Sequence, residues 1–132
     1  MRSVCEILKQ SKNIAVVGLS DKPGRDSRNI AGYLSDAGYN VIGVNPLSKS
    51  DVVDGIRVVK SLDDVPFKID IVDVFRRSEL IPELLPDILR VKPAVVWLQL
   101  GIENNGAMEL CENNGIETIQ NKCIYIEHRY CK

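Results

Sequence analysis

No apolar run in this chain approaches the ~20 residues needed to cross a bilayer, which excludes a membrane-spanning role. An excess of either charge is also missing. The 17 Lys and Arg residues stand against 18 Asp and Glu, a formal net charge of −1, which excludes a nucleic-acid binder working by bulk attraction. No secretory leader is expected either, because Glu6 and Lys9 fall where such a segment is apolar; a cytoplasmic protein is expected. Cys5, Cys111, Cys123 and Cys131 form no C-x-x-C pair and no metal-ligand spacing. In a reducing compartment they are expected as free thiols, with Cys5 and Cys111 serving as small apolar residues. Repeats, low-complexity tracts and linkers are lacking, and a single histidine, His128, restricts acid–base chemistry.

At 132 residues with 45% apolar content, the chain fits one domain. Such a domain buries roughly 65–70% of its unfolded surface and needs no metal or disulfide staple. Residues 3–12 place Val4, Ile7 and Leu8 at helical spacing. Residues 13–19 form a Val-rich run suited to a strand covered on both faces. Ser27 is positioned to cap a helix over 28–37 that Gly38 ends. Strands are predicted at 39–44, 69–75, 94–100 and 117–119, with a further short one available at 55–59. Helices are predicted after Ser78, over about 79–91, and before Asn113-Asn114-Gly115, while 124–130 reads as a tail. This alternation specifies an α/β fold: a single Rossmann-like three-layer domain, with a mostly parallel five-stranded sheet and helices on both faces.

Ligands of open α/β sheets sit beyond the carboxyl ends of the strands, where strand order reverses. The strand ends here are Gly18-Leu19-Ser20, Asn45-Pro46, Phe75-Arg76-Arg77 and Gln99-Leu100-Gly101. Gly18 permits a tight turn, and Ser20 offers a hydroxyl and an amide to an anion. Lys22, Arg25 and Arg28 follow within seven residues, beside a predicted helix N-terminus, so a phosphate-bearing ligand is expected there. The bland alternative is a solvated loop, where Gly, Ser, Asp and Pro are common.

The dinucleotide pattern G-x-G-x-x-G is incomplete, since the chain has Gly18-x-Ser20 and no third glycine in register. Asn45-Pro46 replaces the acidic residue that would grip a ribose, which speaks against NAD and leaves NADP open through a nearby arginine. Asp70 is placed at the entrance of its strand, and Asp73 near the exit is expected to bond a neighbouring loop. Trp97 reads as a packing residue.

Together, Val16-Val-Gly-Leu-Ser-Asp-Lys-Pro23 with Arg25-x-Ser27, Val44-Asn-Pro46, Asp70-Ile-Val-Asp-Val-Phe-Arg76, Val96-Trp-Leu-Gln-x-Gly101 and Ile126-Glu-His128 resemble the small stand-alone CoA-binding proteins. These are related to the CoA-binding domain of succinyl-CoA synthetase and NDP-forming acyl-CoA synthetases. The resemblance spans nearly the whole chain. It implies that coenzyme A, free or as acyl-CoA, lies over the strand ends. Gly18, Leu19, Ser20, Lys22, Pro23, Arg25, Ser27 and Arg28 would then form the phosphate loop. Asn45 and Pro46 would border adenine and ribose, Phe75 and Arg76 the nucleotide flank, and Gln99 with Gly101 the far wall.

In the related synthetases the phosphorylated histidine and the nucleotide-hydrolysing machinery lie outside this domain. No catalytic set is visible in the chain itself, because His128 and Glu127, as neighbours in an extended tail, point apart. A non-catalytic CoA binder is therefore expected, with a homodimer or a separate ligase chain as partner and no nucleic acid or membrane. The alternatives are an NADP-dependent oxidoreductase and a regulatory module of the same fold that has lost its ligand.

Overall fold

The apolar run after Lys12 becomes β1 (Asn13–Val17), the central strand of a seven-stranded sheet in this computed structural model, which describes residues 1–131. Before it comes α1 (Val4–Gln10), closed at its start by a reciprocal cap. The Glu6 amide donates to Ser3 Oγ at 3.2 Å, and the Ser3 amide donates to the Glu6 carboxylate at 2.9 Å. After it come α2 (Asp26–Asp36), β2 (Asn40–Val44), β3 (Val52–Val53), β4 (Ile56–Val59) and β5 (Ile71–Val74). The chain ends with α3 (Ile81–Val91), β6 (Val95–Leu98), α4 (Asn105–Asn113), β7 (Glu117–Ile119) and α5 (Ile124–Tyr130).

The strand order is β3-β4-β2-β1-β5-β6-β7, and every pairing is parallel except β3 with β4. The expected mostly parallel sheet is present, but with seven strands rather than five. The two additions form a hairpin at one edge, turned by Asp54 and Gly55, whose φ values of 52° and 80° are those of a mirror-image two-residue turn. That hairpin brings β4 alongside β2.

Strand side chains alternate between two apolar layers, as the period of two requires. Ala15, Val17, Val72 and Val74 face Leu84 and Ile88 of α3 and Met108 of α4. Ile14, Val16, Ile71 and Trp97 face Ile7 of α1, Leu34 of α2 and Ile124 of α5. Helices thus cover both faces of the sheet.

The tail is a helix, not an extended segment: α5 buries Ile124 completely and leaves Ile126 55% exposed. Its Ile-Tyr-Ile run carries strand propensity, which packing against α1 and α2 overrides. The same packing overturns the expectation of four free thiols. Cys5 and Cys131, 126 residues apart, come to a Cα–Cα distance of 5.4 Å and form a disulfide, while Cys111 and Cys123 remain free. Sequence spacing carries no information about cysteines at opposite ends of a chain. No helix among the described residues is long and apolar enough to cross a membrane.

Candidate functional site

The chain leaves β1 for β2 on one side and returns to β5 on the other, so strand order reverses at the carboxyl end of β1. Gly18 stands at that point with φ +90°, and its amide donates to the Val44 carbonyl at 2.8 Å. A Cβ on residue 18 would lie 3.3 Å from the Phe75 carbonyl oxygen and 3.4 Å from Arg76 Cγ. Glycine is required here both by the backbone angle and by the approach of the β5 end. Leu19 then turns inward and is fully buried. It occupies space left by Gly43, where a Cβ would come within 2.9 Å of the leucine Cδ1.

From Ser20 the loop is pinned from within. The Ser20 amide donates to Ser27 Oγ at 2.9 Å, and the Lys22 amide donates to Ser20 Oγ at 3.1 Å. Ser27 is therefore not the helix cap that its position suggested. It lies inside α2, buried, with its oxygen spent on the loop. The cap residue is Arg25, and no side chain caps the helix. The first-turn amides of α2, which have no intrahelical partner, open beside exposed Lys22, Pro23, Gly24 and Arg25. Lys22 and Arg25 form no ion pair among the described residues.

Arg28 is placed differently from the other two cations. Its guanidinium forms a two-pronged pair with Asp54 at 2.8 and 2.9 Å and donates to the Asp21 carbonyl. These hydrogen bonds hold the Asp54 carboxyl below its ordinary range. Asp21 accepts the Lys49 amide at 2.8 Å, and that bond holds its carboxyl low as well. The β3–β4 hairpin and residues 48–50 thus buttress the loop.

Asn45 ties together three strand ends. Its side-chain amide donates to the Leu19 carbonyl at 2.9 Å, its Oδ1 accepts the Leu47 amide at 2.9 Å, and its own amide donates to Val59 at 2.9 Å. Pro46 and Arg76, with Val44, Lys60 and Leu80, line a cleft of about 260 Å³ over the α3 side. A second cleft of about 280 Å³ lies beyond Asn45, lined by Ser48, Lys49 and Lys60 among others. Lys60 borders both and donates to the Ser48 carbonyl at 3.1 Å. Lys49, Lys60, Asp21 and Asp54 went unnoticed in the sequence. The Asp54-Gly55 dipeptide was the available signal, since it marks the hairpin that folds this segment back.

Phe75 and Arg76 are half-buried beside Gly18, as expected of the β5 end. Gln99 and Gly101 stand farther out, after β6. Gln99 is 5% exposed and accepts the Ile124 amide at 3.1 Å, anchoring α5. Gly101, with φ +86°, donates its amide to Asn121 Oδ1 at 2.7 Å. Around β1, then, the fold gathers Gly18, Leu19, Ser20, Lys22, Pro23, Arg25, Ser27, Arg28, Asn45, Pro46, Phe75 and Arg76.

Asp70 lies at the strand entrance as read, accepting the Lys12 and Asn13 amides at 2.9 Å each. Asp73 bonds no loop. It is fully buried on the α2–α5 side, in register with Val16 and Trp97, and neither carboxylate oxygen has a partner. Burial pushes its pKa well above the ordinary range, favouring the protonated acid. Trp97 is fully buried and donates its indole N–H to the Lys122 carbonyl at 2.8 Å. His128 lies on α5, its Nδ1 2.6 Å from Tyr33 Oη, in a cleft shared with Cys5 and Cys131 rather than at the strand ends. Among the described residues no group of three or more His, Cys, Asp or Glu is able to hold a metal ion.

Residues 12–129 match a family model described as a CoA binding domain. Over 127 residues the chain is 42% identical to the uncharacterized protein YneT of Bacillus subtilis (strain 168), covering 96% of this chain and 93% of that one. A solved structure from Thermus thermophilus, cell-free ID.343, superposes with a TM-score of 0.94 at 33% identity, over 99% of this chain and 100% of that one. A hypothetical protein from Pyrococcus horikoshii OT3 gives 0.89 at 35% identity, over 97% and 89%.

Proposed function

As this chain belongs to the CoA-binding domain family across residues 12–129, we propose that it binds coenzyme A, free or acylated, at the β1–α2 junction and performs no chemistry of its own. One observation carries the reading. The N-terminus of α2, at the strand-order reversal, has no side-chain cap and is flanked by exposed Lys22 and Arg25. A diphosphate accepts hydrogen bonds from such first-turn amides and gains from the positive end of the helix dipole. In this reading Gly18 and Ser20 bring the backbone close to the diphosphate, and Lys22 and Arg25 neutralise it. Arg28, engaged with Asp54, holds the loop in shape. The adenosine end lies across Asn45 and Pro46, with Lys49 and Lys60 near the additional ribose phosphate and Arg76 along the flank. Gln99 acts from behind by fixing α5.

The absence of chemistry is supported by the position of His128, which is engaged with Tyr33 on a different face from the strand ends.

Thermal denaturation with coenzyme A, dephospho-coenzyme A and NADP tests the reading. A ligand that binds only the folded chain stabilises it by ~2.7 kcal/mol at a hundredfold excess over its dissociation constant. Coenzyme A is expected to raise the melting temperature most, dephospho-coenzyme A less, and NADP little. A clear shift with NADP and none with coenzyme A would replace this reading with a nicotinamide-dependent oxidoreductase.

A further inference from the structure

The Cys5–Cys131 disulfide does not lie in the core. Both cysteines are half-buried and line a cleft of about 370 Å³ between α1 and α5, together with Lys9, Tyr39 and His128. A small thiol entering that cleft meets the two cysteines that line it. The bond joins the first helix to the last, at the end of the molecule away from the strand-end rim. A chain of this length buries enough apolar surface to fold without such a staple, and the two apolar layers on either side of the sheet are continuous without it. Each cysteine also has a basic neighbour one turn away on its own segment: Lys9 follows Cys5 at i+4 on α1, and His128 precedes Cys131 at i−3. A half-buried disulfide lining a cleft, with a lysine one turn from Cys5, is a setting for exchange.

We propose that Cys5–Cys131 is a thiol–disulfide exchange site for small thiols entering the cleft between α1 and α5. The incoming thiolate attacks the Cys131 sulfur. The Cys5–Cys131 bond breaks as the new sulfur–sulfur bond forms, and Cys5 departs as the thiolate, with Lys9 beside it. The product is a mixed disulfide on Cys131 and a free thiol at Cys5. A second small thiol then attacks its own kind in the mixed disulfide, releasing the small-molecule disulfide and freeing Cys131. Two small thiols are oxidised and one protein disulfide is reduced. Exchange unties α5 from α1 at the tail end, while Gln99 still holds the first amide of α5.

Glutathione serves as probe on the full chain under native conditions. The protein is oxidised with glutathione disulfide, desalted and exposed to reduced glutathione. It is then quenched with an alkylating reagent and mapped by peptide mass spectrometry. The expected result is loss of the Cys5–Cys131 bond without denaturant, through an intermediate bearing glutathione on Cys131 and alkylated at Cys5. Lys9→Gln is expected to slow the loss about threefold, because the departing Cys5 thiolate loses a positive charge one turn away. A bond that never forms with glutathione disulfide, or that opens only in denaturant, overturns the proposal, as does an adduct confined to Cys123. Neither reagent is a nucleotide, so failure here leaves the coenzyme A reading intact, and failure of that reading leaves this one intact.

Discussion

Ser27 Oγ accepts the Ser20 amide at 2.9 Å, joining the second residue of α2 to the loop that leads into it. This bond positions the helix N-terminus relative to the end of β1. Ser27→Ala leaves the Ser20 amide without its acceptor, an expected loss of about 1–2 kcal/mol. At about 4 °C per kcal/mol for a domain of this size, thermal denaturation resolves it. Unchanged melting would show that the bond does not hold the loop.

Arg28 and Asp54 give a second test, because two roles for the arginine predict opposite behaviour in its partner. If Arg28 holds the loop through Asp54, Asp54→Ala weakens coenzyme A binding as Arg28→Ala does. If Arg28 contacts phosphate directly, Asp54→Ala frees it and tightens binding. The pair is exposed enough that neither variant is expected to unfold the chain, since surface pairs contribute little to stability. Titration calorimetry is expected to show weakening in both.

Asp73 sets a pH dependence. The unfolded chain ionises this carboxyl near pH 4, whereas the buried carboxyl of the folded chain stays protonated well above that. Between the two values the unfolded state holds fewer protons, so stability falls as pH rises, by about 1.4 kcal/mol per unit. Below pH 4 the contribution is fully present. Asp21 and Asp54, whose carboxyls are held low, act at the acid end, where their stabilisation is lost as pH falls. Denaturant titrations between pH 4 and 8 are expected to show the decline in the wild type and a flatter profile in Asp73→Asn. Equal slopes would contradict a protonated Asp73.

Gln99 accepts the Ile124 amide and anchors α5. Gln99→Ala removes a buried acceptor from the Ile124 amide and is expected to cost about 1–3 kcal/mol, with coenzyme A affinity reduced little in protein that remains folded. A large loss of affinity with unchanged stability would restore Gln99 to the ligand wall.

Much of this fold was legible because long apolar runs and helical spacing are local signals. The short Val- and Ile-rich runs that became β1, β5 and β6 read as buried strands, and their alternation with helices pointed to a parallel sheet. The short strand available at 55–59 is β4, but its hairpin partner β3 was missed because it has two residues, too short for periodicity; only Asp54-Gly55 announced the turn. The α5 helix was missed because local propensity in Ile124-Tyr125-Ile126 favours a strand and only tertiary packing decides otherwise. The site divided similarly. Gly18, Ser20, Asn45 and Arg76 follow from the rule about strand ends. The engagement of Arg28 with Asp54, the burial of Ser27 and the pairing of Cys5 with Cys131 depend on contacts across long sequence separations, which no local pattern encodes.

The central claim is that the uncapped start of α2, with Lys22 and Arg25, holds the diphosphate of coenzyme A. Its most direct test is calorimetric titration of coenzyme A into the wild type and into Lys22→Ala/Arg25→Ala at two salt concentrations. Losing two phosphate contacts is expected to weaken binding by about tenfold or more, equivalent to about 1.4 kcal/mol, and to flatten the salt dependence. A double variant that binds coenzyme A as tightly as the wild type, with the same response to salt, would contradict the claim.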